Sequence, residues 1–206
     1  MSEISDIYFT VARTGESIYR EKASKFIGLA FPAGSEPDIK QMLGNVRKKY
    51  HDANHHCYAY CLGPSQEVYR FNDDGEPSGS AGRPIYGTLL SRSVSDALII
   101  VVRYFGGTKL GIPGLIHAYR QAASEALDNA GKAEKVITRN IIVTFRYENM
   151  NAVMKIQKEE ELSLVDQSFD TECRITLGVR KSKLDKVMQK LMRVNNIYTS
   201  FEISDQ

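Results

Sequence analysis

No stretch of this sequence is long and apolar enough to cross a bilayer as a helix. The longest apolar run, Ala97 to Val102, ends at Arg103, far short of the roughly 20 residues a spanning helix requires. Export through a secretion signal is not expected: MSEISDIYF carries acidic residues where such a signal has basic ones, and no apolar segment follows. Cysteine is scarce, with three in 206 residues. An odd, sparse set argues against a disulfide framework and for a reducing compartment, so the expected location is the cytoplasm. Charge excess is lacking as well. The net value is only +2, so a polyanionic partner would have to be met by a local basic patch.

What is present is the composition of an ordinary globular protein, 42% hydrophobic and 25% charged, with enough apolar matter to bury a core. The length exceeds the usual single-domain size and favours two unequal domains, with no internal repeat. Residues 7–12, 17–20 and 25–31 are rich in aromatic and β-branched residues and read as strands. Ser35 followed by Glu36-Pro37-Asp38, with Ile39, Met42, Leu43, Val46 and Tyr50 at helical spacing, predicts a capped amphipathic helix ending in the basic triplet Arg47 to Lys49. Strands are expected over 55–62 and 67–71, a helix around Ile85 to Leu90, a buried strand over 97–105, and a long alanine-rich helix over 113–129. From Val136 the order becomes strand, helix, strand, strand, helix, strand, the ferredoxin-like split unit, with Ser182 placed to cap its second helix. The domains are therefore expected at 1–134 and 135–206.

Two glycine-rich loops hold the candidate chemistry. FNDDGEPSGSAGRP (71–84) and RYFGGTKLG (103–111) each follow a strand and enter a helix. Glycines such as Gly79 and Gly82 before a helix can expose backbone N–H groups to an anion, with Arg83 and Lys109 adding charge. The order in the second loop is wrong for a P-loop. Asp73, Asp74 and Glu76 have the oxygens a Mg²⁺ ion takes, but are also ordinary turn and cap residues; no metal and no cofactor is assigned. Ser78 and Ser80 suggest a hydrolase, yet the G-x-S-x-G elbow is absent. His55, Cys57 and Cys61 share one side of a strand, where core packing is the favoured reading over zinc. His56, Tyr58 and Tyr60 share the other side, either to stack bases or to cover a helix.

Taken together, KASKFIG (22–28), HHCYAY (55–60), DDGEPSGSAGRP (73–84) and VVRYFGGTKLGIPGLIHAY (101–119), in this order, resemble the YigZ/IMPACT family in its bacterial two-domain form. The resemblance implies an α+β protein: an N-terminal α/β domain of the ribosomal protein S-five domain-two type, then a ferredoxin-like βαββαβ domain resembling domain V of elongation factor G. It also implies a link to translation, since the eukaryotic members regulate it. One departure is His117, which stands in Gly114-Leu115-Ile116-His117-Ala118-Tyr119 where many members carry a basic residue.

The leading expectation is a non-enzymatic protein that engages RNA or a translation-related protein. Arg83, Arg103 and Lys109 would contact phosphates, Phe105 or Tyr104 would stack, and Gly106, Gly107 and Gly111 would permit close approach. Asp73, Asp74, Glu76, Ser78, Ser80 and His56 complete the candidate set. The alternative is an enzyme, a Mg-dependent phosphotransferase or, behind it, a hydrolase using the Gly/Ser-rich loop, and a small-molecule ligand stays open.

Overall fold

The computed structural model describes residues 6–194 and 197–205, with residues 199–205 described by backbone alone. The chain divides into two compact units, Tyr8–Lys135 and Val136–Gln206 together with the residues up to Ile7. Sheets and five α-helices among the described residues make a mixed α+β protein.

The first unit runs β1 (Ile7–Val11), β2 (Gly15–Glu21), β3 (Ser24–Pro32), α1 (Glu36–Lys49), β4 (His55–Leu62), β5 (Val68–Asn72), α2 (Gly82–Ser91), β6 (Ala97–Tyr104), α3 (Gly111–Ala130) and β7 (Lys132–Val136). Five strands form one antiparallel sheet in the order β2-β3-β6-β4-β5. The central strand β6 is covered on both faces, which explains its unbroken apolar run. Its Leu98, Ile100 and Val102 meet Ile39 and Val46 of α1, while Ala97, Ile99 and Val101 meet α2 and α3. Tyr58 and Tyr60 lie in the α1 layer, so that aromatic row covers a helix and is closed to bases.

The alanines of α3 let it lie unusually near the sheet. A Cβ on Gly28 would sit 2.3 Å from the Ala122 carbonyl oxygen, and Ser17 Oγ donates to that same oxygen at 2.7 Å. At the N-terminus of α1, Ser35 Oγ accepts from the Asp38 N–H at 3.3 Å, as the capping pattern predicted.

Residues 132–136, which straddle the domain boundary expected at 134/135, form β7, paired with β1. The charged KAEKV segment carries little strand signal, and tertiary contacts decide its state. Asp96 helps fix it: its carboxylate accepts from Lys135 Nζ at 2.8 Å, Tyr8 OH at 2.6 Å and the Gly63 N–H at 2.8 Å.

The second unit runs β8 (Thr138–Phe145), α4 (Met150–Glu159), β9 (Ser163–Phe169), β10 (Cys173–Arg180), α5 (Leu184–Met192) and β11 (Ile197–Asp205). Its antiparallel sheet has the order β11-β8-β10-β9. Ile141, Val143, Ile175 and Leu177 on one face pack with Val153, Ile156, Val187 and Leu191 of the two helices. Ser182 does not cap α5. It sits in a single 3-10 turn, Lys181–Lys183, and both its N–H and its hydroxyl bond the Asp6 carboxylate.

Candidate functional site

The two glycine-rich loops leave the ends of β5 and β6. In the first, Asp74 and Gly75 take the left-handed conformation, φ 43° and 88°, which turns the chain so that Asp73 faces the start of α2. Its carboxylate accepts three N–H bonds, from Gly79 at 2.9 Å, Ala81 at 3.0 Å and Gly82 at 2.8 Å. The expected anion nest is real, but the protein's own side chain fills it. The expectation that Gly79 and Gly82 receive an outside anion is therefore corrected. Asp74 is engaged too, accepting from the His56 N–H at 2.7 Å and lying 3.3 Å from Arg47.

Glu76 has the most enclosed setting of the three. Its Oε1 accepts from Arg103 NH1 at 2.6 Å and from Tyr119 OH at 2.6 Å, with His55 Nε2 at 3.8 Å. The Glu76 side chain is 3% exposed and that of Arg103 6%. The Cys57 sulfur lies 3.3 Å from the Tyr119 hydroxyl and 3.0 Å from the Asp73 carbonyl. Burial pushes the Cys57 thiol and the Tyr119 phenol well above their ordinary values, so neither is an ionised nucleophile near neutral pH. Arg103 is thus a buried partner of Glu76. It is no open phosphate contact of the kind the sequence reading expects.

Above this cluster lies a cleft of about 430 Å³ between the two loops and the start of α3, within the range of roughly 300 to 1,000 Å³ typical of small-ligand sites. Glu76, Arg103 and His55 line it, together with Phe105, Lys109 and Ile112. Phe105 is 46% exposed and its ring stands 5.5 Å from the Arg103 guanidinium. Lys109 is exposed at the rim. The loop that carries them is fastened below: Phe105 N–H donates to Asn54 Oδ1 at 2.8 Å and Gly106 N–H to Ser24 Oγ at 3.2 Å. Gly106 packs on the Ala23 backbone, where a Cβ would come within 2.1 Å, so its small size serves the fold. Gly107 and Gly111 turn the chain at φ 86° and 73°.

Other candidates lie elsewhere. Arg83 is exposed on α2 and Ser78 in its loop, and neither lines the cleft. Ser80 is buried, its hydroxyl donating to the Pro77 carbonyl at 2.6 Å. His56 is buried on the α1 side with Nε2 3.0 Å from the Tyr50 carbonyl, so its neighbour His55 is the histidine at the cleft. Cys61 joins Cys57 in the core, and the described residues contain no group of three or more His, Cys, Asp or Glu arranged for a metal. His117 is exposed, edge-on to Tyr19. Sequence reasoning missed Tyr119, whose role depends on positions 57, 76, 103 and 119 meeting in space.

The same segments decide the family. A family profile described as the Impact N-terminal domain matches residues 22–127. The chain belongs to the IMPACT family. IMPACT family member YvyE of Bacillus subtilis is 30% identical over 189 residues, covering 92% of this chain and 87% of that protein. IMPACT family member YigZ of Escherichia coli is 26% identical over 172 residues, covering 82% and 84%. A crystal structure of a hypothetical protein matches at TM-score 0.76 and 23% identity over 98% of this chain and all of that one, a likeness of fold alone. Within this IMPACT-family chain, the profile takes in both glycine-rich loops and the buried Glu76–Arg103 pair.

Proposed function

We propose that this IMPACT-family chain is a non-enzymatic RNA-binding protein linked to translation and working in the cytoplasm. The observation that carries the reading is where the carboxylates of the first loop go: Asp73 caps α2, Asp74 meets Arg47, and Glu76 meets Arg103. No carboxylate of that loop is left to hold Mg²⁺ or to act as a base. The outward chemistry is a half-exposed aromatic ring, Phe105, beside Lys109, with Arg83 on the neighbouring helix. A ring for a base and a cation for a phosphate is the minimum an RNA strand needs.

The finer fold reading belongs to the same proposal. The first unit, Tyr8–Lys135, is a domain of the ribosomal protein S-five domain-two type, and the second a ferredoxin-like domain like domain V of elongation factor G. The order β11-β8-β10-β9 around two helices on one face supports the second assignment. Both folds occur in proteins that work on ribosomal RNA, which supports an RNA ligand by analogy of fold.

The test is binding of a single-stranded RNA at several salt concentrations, with Lys109→Ala and Phe105→Ala. Affinity falls with salt, Lys109→Ala lowers the salt slope, and Phe105→Ala weakens binding with the slope intact. Absence of binding at low salt overturns the RNA reading, and capture of a translation-related protein instead would put the ligand in that class.

A further inference from the structure

The first unit has another concavity, on the face of its sheet opposite the cleft. It lies between α1 and the edge strand β5 and measures about 460 Å³. Ile39, Tyr58 and Tyr60, all nearly buried, form its floor, and Leu43 adds to the apolar wall. Lys40, Arg47 and Arg70 stand around it against one carboxylate, Glu36. Glu36 already accepts from the Tyr60 hydroxyl at 2.5 Å, and Arg47 lies 3.3 Å from Asp74. Lys40 and Arg70 are exposed and make no ion pair or hydrogen bond among the described residues, so the rim keeps uncompensated positive charge. Gly44 is an independent sign that something approaches here. It lines the groove from the interior of α1, where glycine weakens a helix relative to alanine. It is not among the glycines of positive φ, and a Cβ there would meet nothing within 4 Å. Neither the backbone nor the packing of the fold calls for glycine at 44, and its effect is to keep the groove open along the helix.

We propose that this groove docks an acidic peptide segment of a partner protein, with an aliphatic side chain seated over Tyr58 and Tyr60 and its flanking carboxylates on Lys40 and Arg70. Charge complementarity selects the occupant: two free cations beside an apolar floor match carboxylates on either side of an apolar anchor. The size agrees. Glu36 to Arg47 spans about 16 Å at the helical rise per residue, which an extended chain covers in about five residues. An RNA strand fits less well, because the tyrosine rings pack against α1 and offer no face to a base. The proposal is independent of the RNA reading, since the groove and the cleft share no lining residue.

The experiment is a titration of the full chain with three heptapeptides, the acidic EDELDED, its anchor-free form EDEADED and its uncharged form QNQLQNQ, followed through the amide resonances of Lys40, Gly44, Tyr60 and Arg70. EDELDED shifts these amides, and its affinity falls as salt is raised. Each of the other two peptides binds at least about fivefold more weakly, one for want of the apolar anchor and the other for want of charge. Lys40→Glu combined with Arg70→Glu, both at exposed positions, loses about tenfold or more in affinity. Gly44→Leu separates binding from stability: it fills the groove and improves the helix, so it melts at or above the parental temperature and loses EDELDED. Three results overturn the site: no shift of these amides at millimolar EDELDED, QNQLQNQ binding as tightly as EDELDED, or full EDELDED affinity in Gly44→Leu. A single-stranded RNA that shifts the same amides, with EDELDED shifting none, overturns the peptide and puts RNA in the groove.

Discussion

Arg103 NH1 meets Glu76 Oε1 at 2.6 Å with both side chains almost wholly buried, and this pair ties the β5–α2 loop to the central strand. A buried charge whose partner is removed costs far more than the pair itself contributes. Glu76→Gln is therefore expected to destabilise the fold by about 3–5 kcal/mol, read from chemical denaturation. Adding Arg103→Met to Glu76→Gln should recover most of that loss, because the stranded charge is gone. If the double variant is as unstable as the single one, the damage comes from altered packing at position 76 and the charge argument fails.

Asp96 gives the fold an acid-sensitive joint. Burial pulls its pKa up, but Lys135, Tyr8 and the Gly63 N–H outweigh that and hold it below the ordinary value. A carboxyl depressed in the folded state contributes stability that is full above the unfolded value and is lost as pH falls through the folded one. Stability should therefore drop from about pH 4 downward. Asp96→Asn should cost about 1–3 kcal/mol at neutral pH, and its deficit against the parent should shrink below about pH 4. A deficit that is constant across this range counts against the assignment.

The cysteines should be inert in the native protein. All three are buried, and burial pushes the Cys57 and Cys61 thiols up, so thiolate is scarce as well as shielded. A thiol reagent at neutral pH should label none of the three until denaturant is added. Rapid labelling of Cys57 in the folded chain would mean that the cluster around Tyr119 opens readily.

Much of the fold could be read along the chain because local pattern and tertiary structure agree there. The unbroken run of β6 reflects burial on two faces, and the alanines of α3 reflect its close seat on Gly28. Where pattern and structure part, the deciding contact is distant. Residues 132–135 carry no strand signal at the expected domain boundary because charged residues dominate, and they form a strand because Tyr8 and Asp96 hold them. Ser182 has the right identity to cap a helix, yet Asp6 takes it. In the site, the parity of β4 puts His55 rather than His56 at the cleft, and a one-residue choice of that kind turns on register. Each carboxylate of the first loop has a partner inside the fold. Such pairings link positions 27 to 43 residues apart in the cases of Arg47, Arg103 and Tyr119, beyond what periodicity can report.

The last prediction concerns Asp73, whose carboxylate occupies the place at α2 where an outside anion would otherwise sit. Asp73→Ala removes three N–H bonds from the helix start and should cost about 2 kcal/mol or somewhat more, the upper end for loss of an N-terminal cap. The vacated N–H groups of Gly79, Ala81 and Gly82 then become a genuine anion nest. Inorganic phosphate should bind there and restore part of the lost stability, raising the melting temperature of Asp73→Ala more than that of the parent. The difference between the two proteins is the informative quantity, since phosphate binding elsewhere on the chain is common to both. Equal phosphate responses would mean that the loop collapses when Asp73 is lost, and that the carboxylate shapes the nest as well as filling it.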